Sequence, residues 1–150
     1  MKEEVFVVGD VHGEITLLKK LLEKWDREKQ QLIFIGDLGD RGENSKACFL
    51  LAKELVEKYG AIYLKGNHEA ILMNFIAKPE EYAGNYFLNG GLGSLESFLH
   101  ERIDEEYSPT EIVLMMKLYY KDLLALLAAL QLYYEWEHSL CAHAALDLWT

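Results

Sequence analysis

The stretch LIFIGDLGDRG, residues 32–42, is the clearest indication of the fold in this sequence. It begins with four apolar residues and continues into Gly-Asp, which is typical of a buried strand followed by a tight turn. VFVVGD at residues 5–10 has the same form, and a third apolar run leads into GNHE at residues 66–69. We therefore predict three buried strands, at Val5–Val8, Leu32–Ile35 and Ile62–Leu64.

Two amphipathic segments separate these strands. Leucines and a tryptophan recur at helical spacing over Glu14–Glu28, and a second helix is predicted from an N-cap at Ser45 to about Lys58, with Gly60 ending it. Alternation of strands and helices implies right-handed crossovers and a largely parallel sheet. The predicted fold class is α/β, of the α+β sandwich type, with β-sheets flanked by helices.

Length and composition indicate one globular domain over residues 1–150, since 51% of the residues are hydrophobic and 27% are charged. Residues 78–130 contain both prolines and the NGGLGS stretch, and we interpret them as an irregular helical cap. Within it, Glu111–Leu130 is predicted to form two helices or one bent helix. Gln131–Glu137 and Ser139–Ala142 are predicted to be further strands.

Charge and cysteine usage restrict the function classes. A net charge of −10 argues against a nucleic-acid or anionic-membrane binder, but a phosphorylated substrate stays compatible with it because a few local cations can reverse the field. Neither a membrane-spanning run nor a secretory signal is visible. Cys48 and Cys141 are predicted to be free thiols, and the expected location is the cytoplasm.

Polar side chains follow each predicted strand. Asp10 and His12 are two residues apart, so at an extended strand end they would point to the same side, and Asp37 follows the next strand. The carboxyl ends of the strands in such a sheet meet at one edge. Carboxylate and imidazole together suit Mn²⁺, Fe or Zn²⁺ better than Mg²⁺ or Ca²⁺. Asn67, His68 and the later His143 would join this group.

Arg41 is the natural clamp for a phosphoryl group because its guanidinium is planar and permanently charged. Each feature also has an ordinary structural interpretation when it is taken alone. Gly-Asp after a strand is a common turn, His143 could be an ordinary histidine, and Arg41 could pair with Asp40 or Glu43. It is the occurrence of three clusters at successive strand ends that favours a site.

GDVHG at 9–13, GDLGDRG at 36–42, GNHE at 66–69 and CAHAAL around His143 together resemble the calcineurin-like metallophosphoesterases. The Asp-Arg-Gly and Asn-His-Glu forms are similar to the branch that holds serine/threonine protein phosphatases and symmetrical bis(5′-nucleosyl)-tetraphosphatases. The resemblance covers most of residues 5–146, and the cap matches only loosely.

The resemblance implies two divalent metal ions, with Mn²⁺ favoured over Fe or Zn²⁺. Asp10, His12 and Asp37 would hold the first, and Asp37, Asn67 and His143 the second. A hydroxide bridging the metals would attack phosphorus. His68, oriented by Asp40, would be the general acid, and the substrate would be held by Arg41, Asn67 and His68.

The sequence departs from the family pattern in three places. Ala144–Ala145 stands where Ala-Gly is common, and Glu43 replaces a frequent proline. The family also continues beyond the histidine equivalent to His143, through further strands of the second sheet to a late Gly-His that this sequence lacks. We therefore expect a weakened second metal site, reduced activity and an unpaired sheet edge that pairs with a second copy of the chain.

Three functional hypotheses follow. The first is a phosphomonoesterase similar to serine/threonine protein phosphatases, acting on a phosphorylated protein. The second is a nucleotide hydrolase similar to the symmetrical diadenosine tetraphosphatases. The third is a non-catalytic relative that binds metal or phosphate without turnover.

Overall fold

The structure is a computed structural model that describes residues 2–100 and 106–144. Its principal sheet is parallel, with β2 (Gln30–Phe34) between β1 (Glu4–Val8) and β3 (Ile62–Tyr63). Val8 pairs with Phe34, and Ile33 pairs with Ile62. Helices connect these strands, so the predicted α/β class is confirmed. The strands consist mainly of apolar β-branched and aromatic residues, which favour extended geometry.

Helix α1 (Ile15–Leu22) is shorter than predicted. The prediction to Glu28 was wrong because Asp26 caps a local turn, in which its Oδ1 accepts from the backbone N–H groups of Glu28 and Lys29 at 3.0 and 3.2 Å. Trp25 continues the apolar pattern beyond the helix, and its indole N–H donates to the Gln30 carbonyl at 3.0 Å.

Helix α2 (Ser45–Tyr59) ends at Gly60 as predicted, with Gly60 in the left-handed region at φ 68°. Its N-cap is Asn44 rather than Ser45, since the Asn44 side chain accepts from the backbone N–H of Ala47 at 3.0 Å. Ser45 instead directs its hydroxyl toward the loop after β2, where it accepts from the backbone N–H of Asp40 at 2.9 Å.

The remaining helices are α3 (Asn67–Ala77), α4 (Pro79–Leu88), α5 (Gly91–Leu99), α6 (Pro109–Tyr119) and α7 (Lys121–Ala128). The segment predicted to be an irregular helical cap thus contains regular helices, including α4 and α5. The predicted helical region after Glu111 is two helices, and the chain leaves helical geometry between them at Tyr120, where φ is −130°. These helices share one hydrophobic core with the sheet, in which Phe34, Phe75 and Phe98 are buried.

An antiparallel hairpin of β4 (Tyr133–Trp136) and β5 (Ser139–Ala142) follows the helices. β4 is shorter than predicted. Gln131, which was assigned to that strand, bridges instead to Leu64 in parallel fashion, and its carbonyl accepts from Lys65 N at 2.9 Å. This attachment places His143, directly after β5, beside the principal sheet.

No helix in the described parts of the chain is long and apolar enough to cross a membrane. Both cysteines are free, and Cys48 is fully buried whereas Cys141 is half-buried. Ala145, one of the sequence departures noted above, lies outside the described residues. Pairing of a sheet edge with a second copy stays a prediction.

Candidate active site

The loops after β1 and β2 carry most of the strained backbone in the described residues. Of the seven non-glycine residues at positive φ, five lie in these two loops: Asp10 (54°), His12 (46°), Asp37 (58°), Asp40 (68°) and Arg41 (73°). Strain of this kind costs on the order of 1–3 kcal/mol per residue and tends to cluster at functional sites. The expectation that Asp10 and His12 extend from a strand was therefore wrong, because both adopt left-handed geometry.

Asp37 lies at the centre of the group and is only 4% exposed. Its Oδ2 is 3.1 Å from His143 Nε2 and 3.8 Å from His12 Nε2. Its Oδ1 accepts from the backbone N–H of His68 at 2.9 Å, which joins the β2 loop to the start of α3. One carboxylate therefore contacts side chains or backbone from three separate motifs.

Backbone carbonyls define the proton positions on two of the histidines. Nδ1 of His143 lies 2.9 Å from the Ile35 carbonyl and Nδ1 of His12 lies 3.0 Å from the Gly39 carbonyl. A carbonyl oxygen can only accept, so each Nδ1 must be the donor. In the neutral rings, each Nε2 therefore directs a lone pair toward the carboxylate of Asp37.

Asn67 adds a further polar group beside His143. As placed, its Oδ1 lies 3.0 Å from His143 Nε2. With the amide turned over, its nitrogen would donate to His143 Nε2 at 3.0 Å and to Asp37 Oδ2 at 2.9 Å. In the first orientation a cation between Asn67, His143 and Asp37 would satisfy the lone pairs that face one another. In the second orientation the Asn67 N–H groups would satisfy them without a cation.

Two sets of side chains offer ligand atoms that all lie within 4.8 Å of one another: His12 with Asp37 and His68, and Asp10 with Asp37 and His143. Asp37 belongs to both sets, as a bridging carboxylate would. Asp10 and His12 fall in different sets, whereas the sequence-based assignment placed them together. Mixed nitrogen and oxygen ligands fit Mn²⁺, Fe or Zn²⁺, so the donor chemistry is compatible with the implied metals.

His68 and Asp40 form a buried pair beside these ligands. His68 Nδ1 donates to Asp40 Oδ2 at 2.9 Å, and each side chain is 3% exposed. The His68 ring also packs edge-on against His12, with centroids 4.8 Å apart. A carboxylate that receives the Nδ1 proton holds the imidazole in one tautomer and leaves its Nε2 for chemistry.

The cap supplies the other contacts of Asp40. Its Oδ1 accepts from Ser94 Oγ at 2.5 Å and from the Tyr86 hydroxyl at 3.3 Å. Burial raises the pKa of Tyr86 well above its ordinary value, and the Asp40 charge adds to this effect, so Tyr86 stays a neutral donor. The sequence drew attention to the NGGLGS stretch, but it did not identify these contacts.

Glu69 is a second residue whose role was missed. It is fully buried, and its Oε1 accepts from the backbone N–H groups of Asp37 and Gly66 at 2.5 and 3.0 Å, while Oε2 accepts from Leu38 N at 3.2 Å. Burial raises its pKa, and the backbone donors oppose that rise. Glu69 therefore fixes the backbone that carries Asp37, and the signal was its place in GNHE at the third position of a helix.

Arg41 is exposed and directly follows Asp40 in the chain. It forms no ion pair with Asp40 or Glu43 in the described parts of the chain, so the alternative interpretation of Arg41 as a partner of these acids was wrong. Its backbone instead lies against the cap, where a Cβ added at Gly90 would fall 2.8 Å from Arg41 N. The guanidinium is therefore available to an anion that enters from solvent.

Known proteins are similar to this chain in sequence. The family profile of the calcineurin-like phosphoesterases matches residues 4–148. Serine/threonine-protein phosphatase 1 of Salmonella typhimurium is 34% identical over 89 residues, which are 58% of this chain and 38% of that protein. The symmetrical bis(5′-nucleosyl)-tetraphosphatase of Glaesserella parasuis is 33% identical over 104 residues, which are 65% of this chain and 38% of that protein.

A solved structure described as a candidate diadenosine tetraphosphatase superposes on this chain with a TM-score of 0.53 and a sequence identity of 21%. The superposition covers 86% of this chain and 43% of the chain in that structure. At that identity the likeness concerns the fold alone. The matched regions span 38% of the length of each of the two curated relatives named above.

Proposed function

The chain belongs to the calcineurin-like phosphoesterase family, and from this premise we propose that it is a metal-dependent phosphoesterase acting on phosphomonoesters. The observation that carries the proposal is the position of Asp37. Its Oδ2 faces Nε2 of both His143 and His12, and its Oδ1 is hydrogen-bonded to the residue that would be the general acid. One buried carboxylate therefore contacts two of the residues that would bind metal and the residue that would donate the proton.

Asp10, His12, Asp37, Asn67 and His143 would hold two divalent cations. Cations bound there would polarise the phosphoryl group and acidify the attacking water. Oδ2 of Asp37 and Nε2 of His143, two acceptors 3.1 Å apart, support such ions, because lone pairs that face one another require a positive charge or a donor between them.

The remaining residues would bind the substrate and move a proton. Arg41 would hold phosphoryl oxygens through its fork of N–H donors, and Asn67 and His68 would line the same position. His68, protonated at Nε2, would donate that proton to the oxygen of the leaving alcohol. Asp40 would stabilise the imidazolium through Nδ1 during this transfer.

A second candidate is hydrolysis of a dinucleoside polyphosphate. It is favoured by the relatives named as bis(5′-nucleosyl)-tetraphosphatases, one of which aligns with a larger share of this chain than the protein phosphatase does. Both reactions are displacements at phosphorus that would use the same ligands and the same proton donor.

The test is hydrolysis of p-nitrophenyl phosphate, a phosphoserine peptide and diadenosine tetraphosphate by the purified chain with added Mn²⁺. We expect turnover that a chelator abolishes, and a loss of roughly 10²–10⁴-fold in kcat on the phosphoserine peptide for His68→Gln. His138→Gln is the matched control, since His138 is exposed in the turn between β4 and β5. Equal activity of the two variants would contradict the role of His68, and Mn²⁺ binding without turnover would favour the non-catalytic hypothesis.

A further inference from the structure

We propose that Ser94 is a positioning residue for the His68–Asp40 pair. Its hydroxyl fixes the Asp40 carboxylate, so that His68 keeps its proton on Nδ1 and presents Nε2 to the site. The kinetic part of this inference rests on the proposed function, because it assigns His68 the proton transfer to the leaving group. The structural part concerns only the hydrogen bonds among these three side chains and can be tested without turnover.

The two carboxylate oxygens of Asp40 bind side chains from different helices. Oδ2 accepts from His68 at the start of α3, whereas Oδ1 accepts from Ser94 in α5 and from Tyr86 in α4. Asp40 and Ser94 are 2% and 1% exposed, so water does not compete for these bonds. With both oxygens bound, the carboxylate has one orientation, and His68 has one acceptor for its Nδ1 proton.

Ser94 is bound to the loop in two ways. Its Oγ donates to Asp40 Oδ1 at 2.5 Å and accepts from the backbone N–H of Asp40 at 3.0 Å. The same N–H is also 2.9 Å from Ser45 Oγ, on the adjacent helix α2. Ser94 Oγ also lies 2.8 Å from Ser45 Oγ. Removal of the Ser94 hydroxyl therefore leaves the backbone N–H of Asp40 with Ser45 as a partner, and it takes away the shorter of the two hydrogen bonds to Asp40 Oδ1.

Two glycines that precede Ser94 allow α5 to approach Asp40 closely enough for this contact. At Gly91 an added Cβ would fall 1.8 Å from the Tyr86 ring, so a side chain there would displace the second donor to Asp40. At Gly90, where φ is +90°, an added Cβ would fall 2.8 Å from Arg41 N. The NGGLGS stretch thus brings the first turn of α5 against Asp40 and Arg41, and Ser94 is the member that binds the carboxylate.

The first experiment reads the His68 ring by ¹⁵N–¹H correlation in the metal-free chain. We expect an Nδ1–H signal, identified by its loss in His68→Gln, that persists in Ser97→Ala and is lost or strongly shifted in Ser94→Ala. Ser97 is a matched control because it lies in the same helix and its hydroxyl donates to the Ser94 carbonyl at 2.6 Å rather than to Asp40. An unchanged ring signal in Ser94→Ala would overturn the proposal.

The second experiment compares phenyl phosphate, whose leaving group needs a proton, with p-nitrophenyl phosphate, whose leaving group needs it less. For Ser94→Ala we expect kcat on phenyl phosphate to fall about tenfold or more, a smaller loss on the activated ester and little change in KM, with recovery in Ser94→Thr. Equal losses on both esters would contradict positioning of the proton donor.

Thermal melting of each variant separates these effects from misfolding. Tyr86→Phe is the second variant if Ser94→Ala does not fold, and it should perturb the same ring signal to a smaller extent because its bond is longer. Absence of turnover in the wild type would refute the proposed function alone, since the ring signal would still decide whether Ser94 positions Asp40 and His68.

Discussion

Nε2 of His143 lies 3.1 Å from Oδ2 of Asp37, although the two residues belong to motifs that are far apart in the sequence. The Nδ1 proton of His143 is committed to the Ile35 carbonyl at 2.9 Å, so a neutral ring directs a lone pair at the carboxylate. This contact is favourable when the ring carries a positive charge, or when a cation or the Asn67 amide donor lies between the two groups.

Divalent cations should therefore stabilise the folded chain. At a Mn²⁺ concentration of about 100 times Kd, binding to the native state adds about 2.7 kcal/mol to the free energy of unfolding. We expect His143→Gln to reduce the increase in Tm produced by Mn²⁺, and His138→Gln to retain it, in thermal melts with and without the metal. An equal Mn²⁺ effect in both variants would remove His143 from the ligand set.

Glu69 should matter to stability far more than its position outside the ligand set suggests. Glu69→Ala leaves the buried backbone N–H groups of Asp37, Leu38 and Gly66 without acceptors, and we expect a loss of about 3 kcal/mol or more in urea unfolding. Glu57→Ala is the control, because among the described residues Glu57 pairs with Lys53 in an exposed i,i+4 contact whose loss should change the stability little. Similar midpoints for the two variants would be inconsistent with the role given to Glu69.

Two glycines at the start of α5 should respond to alanine with opposite signs. Gly90→Ala places a Cβ against Arg41 at φ +90°, so we expect a loss of about 1–2 kcal/mol and a raised KM for p-nitrophenyl phosphate. Gly93 has nothing within 4 Å of an added Cβ and lies inside the helix, so Gly93→Ala should stabilise by about 0.5–1 kcal/mol. Urea unfolding and steady-state kinetics measure both effects, and an unchanged KM in Gly90→Ala would show that Arg41 does not depend on this contact.

Burial raises the pKa of the Cys48 thiol from its ordinary 9.0 to about 12. Because the folded-state pKa is raised, the unfolded thiol ionises first, and the stability present below pH 9 is lost as the pH rises toward 12. We expect Cys48→Ala to flatten the fall in unfolding free energy over this range by on the order of 1 kcal/mol per pH unit. If the unfolding free energy of Cys48→Ala fell as steeply with pH as that of the wild type, the assignment of this pH dependence to Cys48 would be contradicted. In native protein at pH 8, iodoacetamide should modify Cys141 and leave Cys48 intact.

The sequence was sufficient to predict the strands and the α/β class because apolar runs that end in Gly-Asp or Gly-Asn leave few alternatives. It also placed Asp37, Asn67 and His68 at strand ends that the fold brings to one edge. The roles of these residues stay predictions. The error at α1 arose because the apolar pattern continues to Trp25, whereas the Asp26 turn ends the helix.

Residues that act through tertiary contacts could not be found from the sequence. Ser94 looks like an ordinary helix serine until α5 packs against the β2 loop, and Glu69 looks like a routine member of a helix start. Ser45 and Asn44 are both good N-cap residues, so the sequence does not distinguish them, and it is the hydrogen bond from Asp40 N–H to Ser45 that leaves Asn44 as the N-cap of α2. The glycines of NGGLGS suggested irregularity, yet they allow a regular helix to approach Arg41 closely.

The central claim is that Asp37 joins two metal sites of a phosphoesterase, and its most direct test is bound Mn²⁺ per chain by elemental analysis alongside hydrolysis of p-nitrophenyl phosphate. We predict about two ions per chain and turnover in the wild type and in Asp122→Asn, since Asp122 is exposed at the start of α7. Asp37→Asn should lose metal and turnover together. Wild-type metal content and rate in Asp37→Asn would contradict the claim.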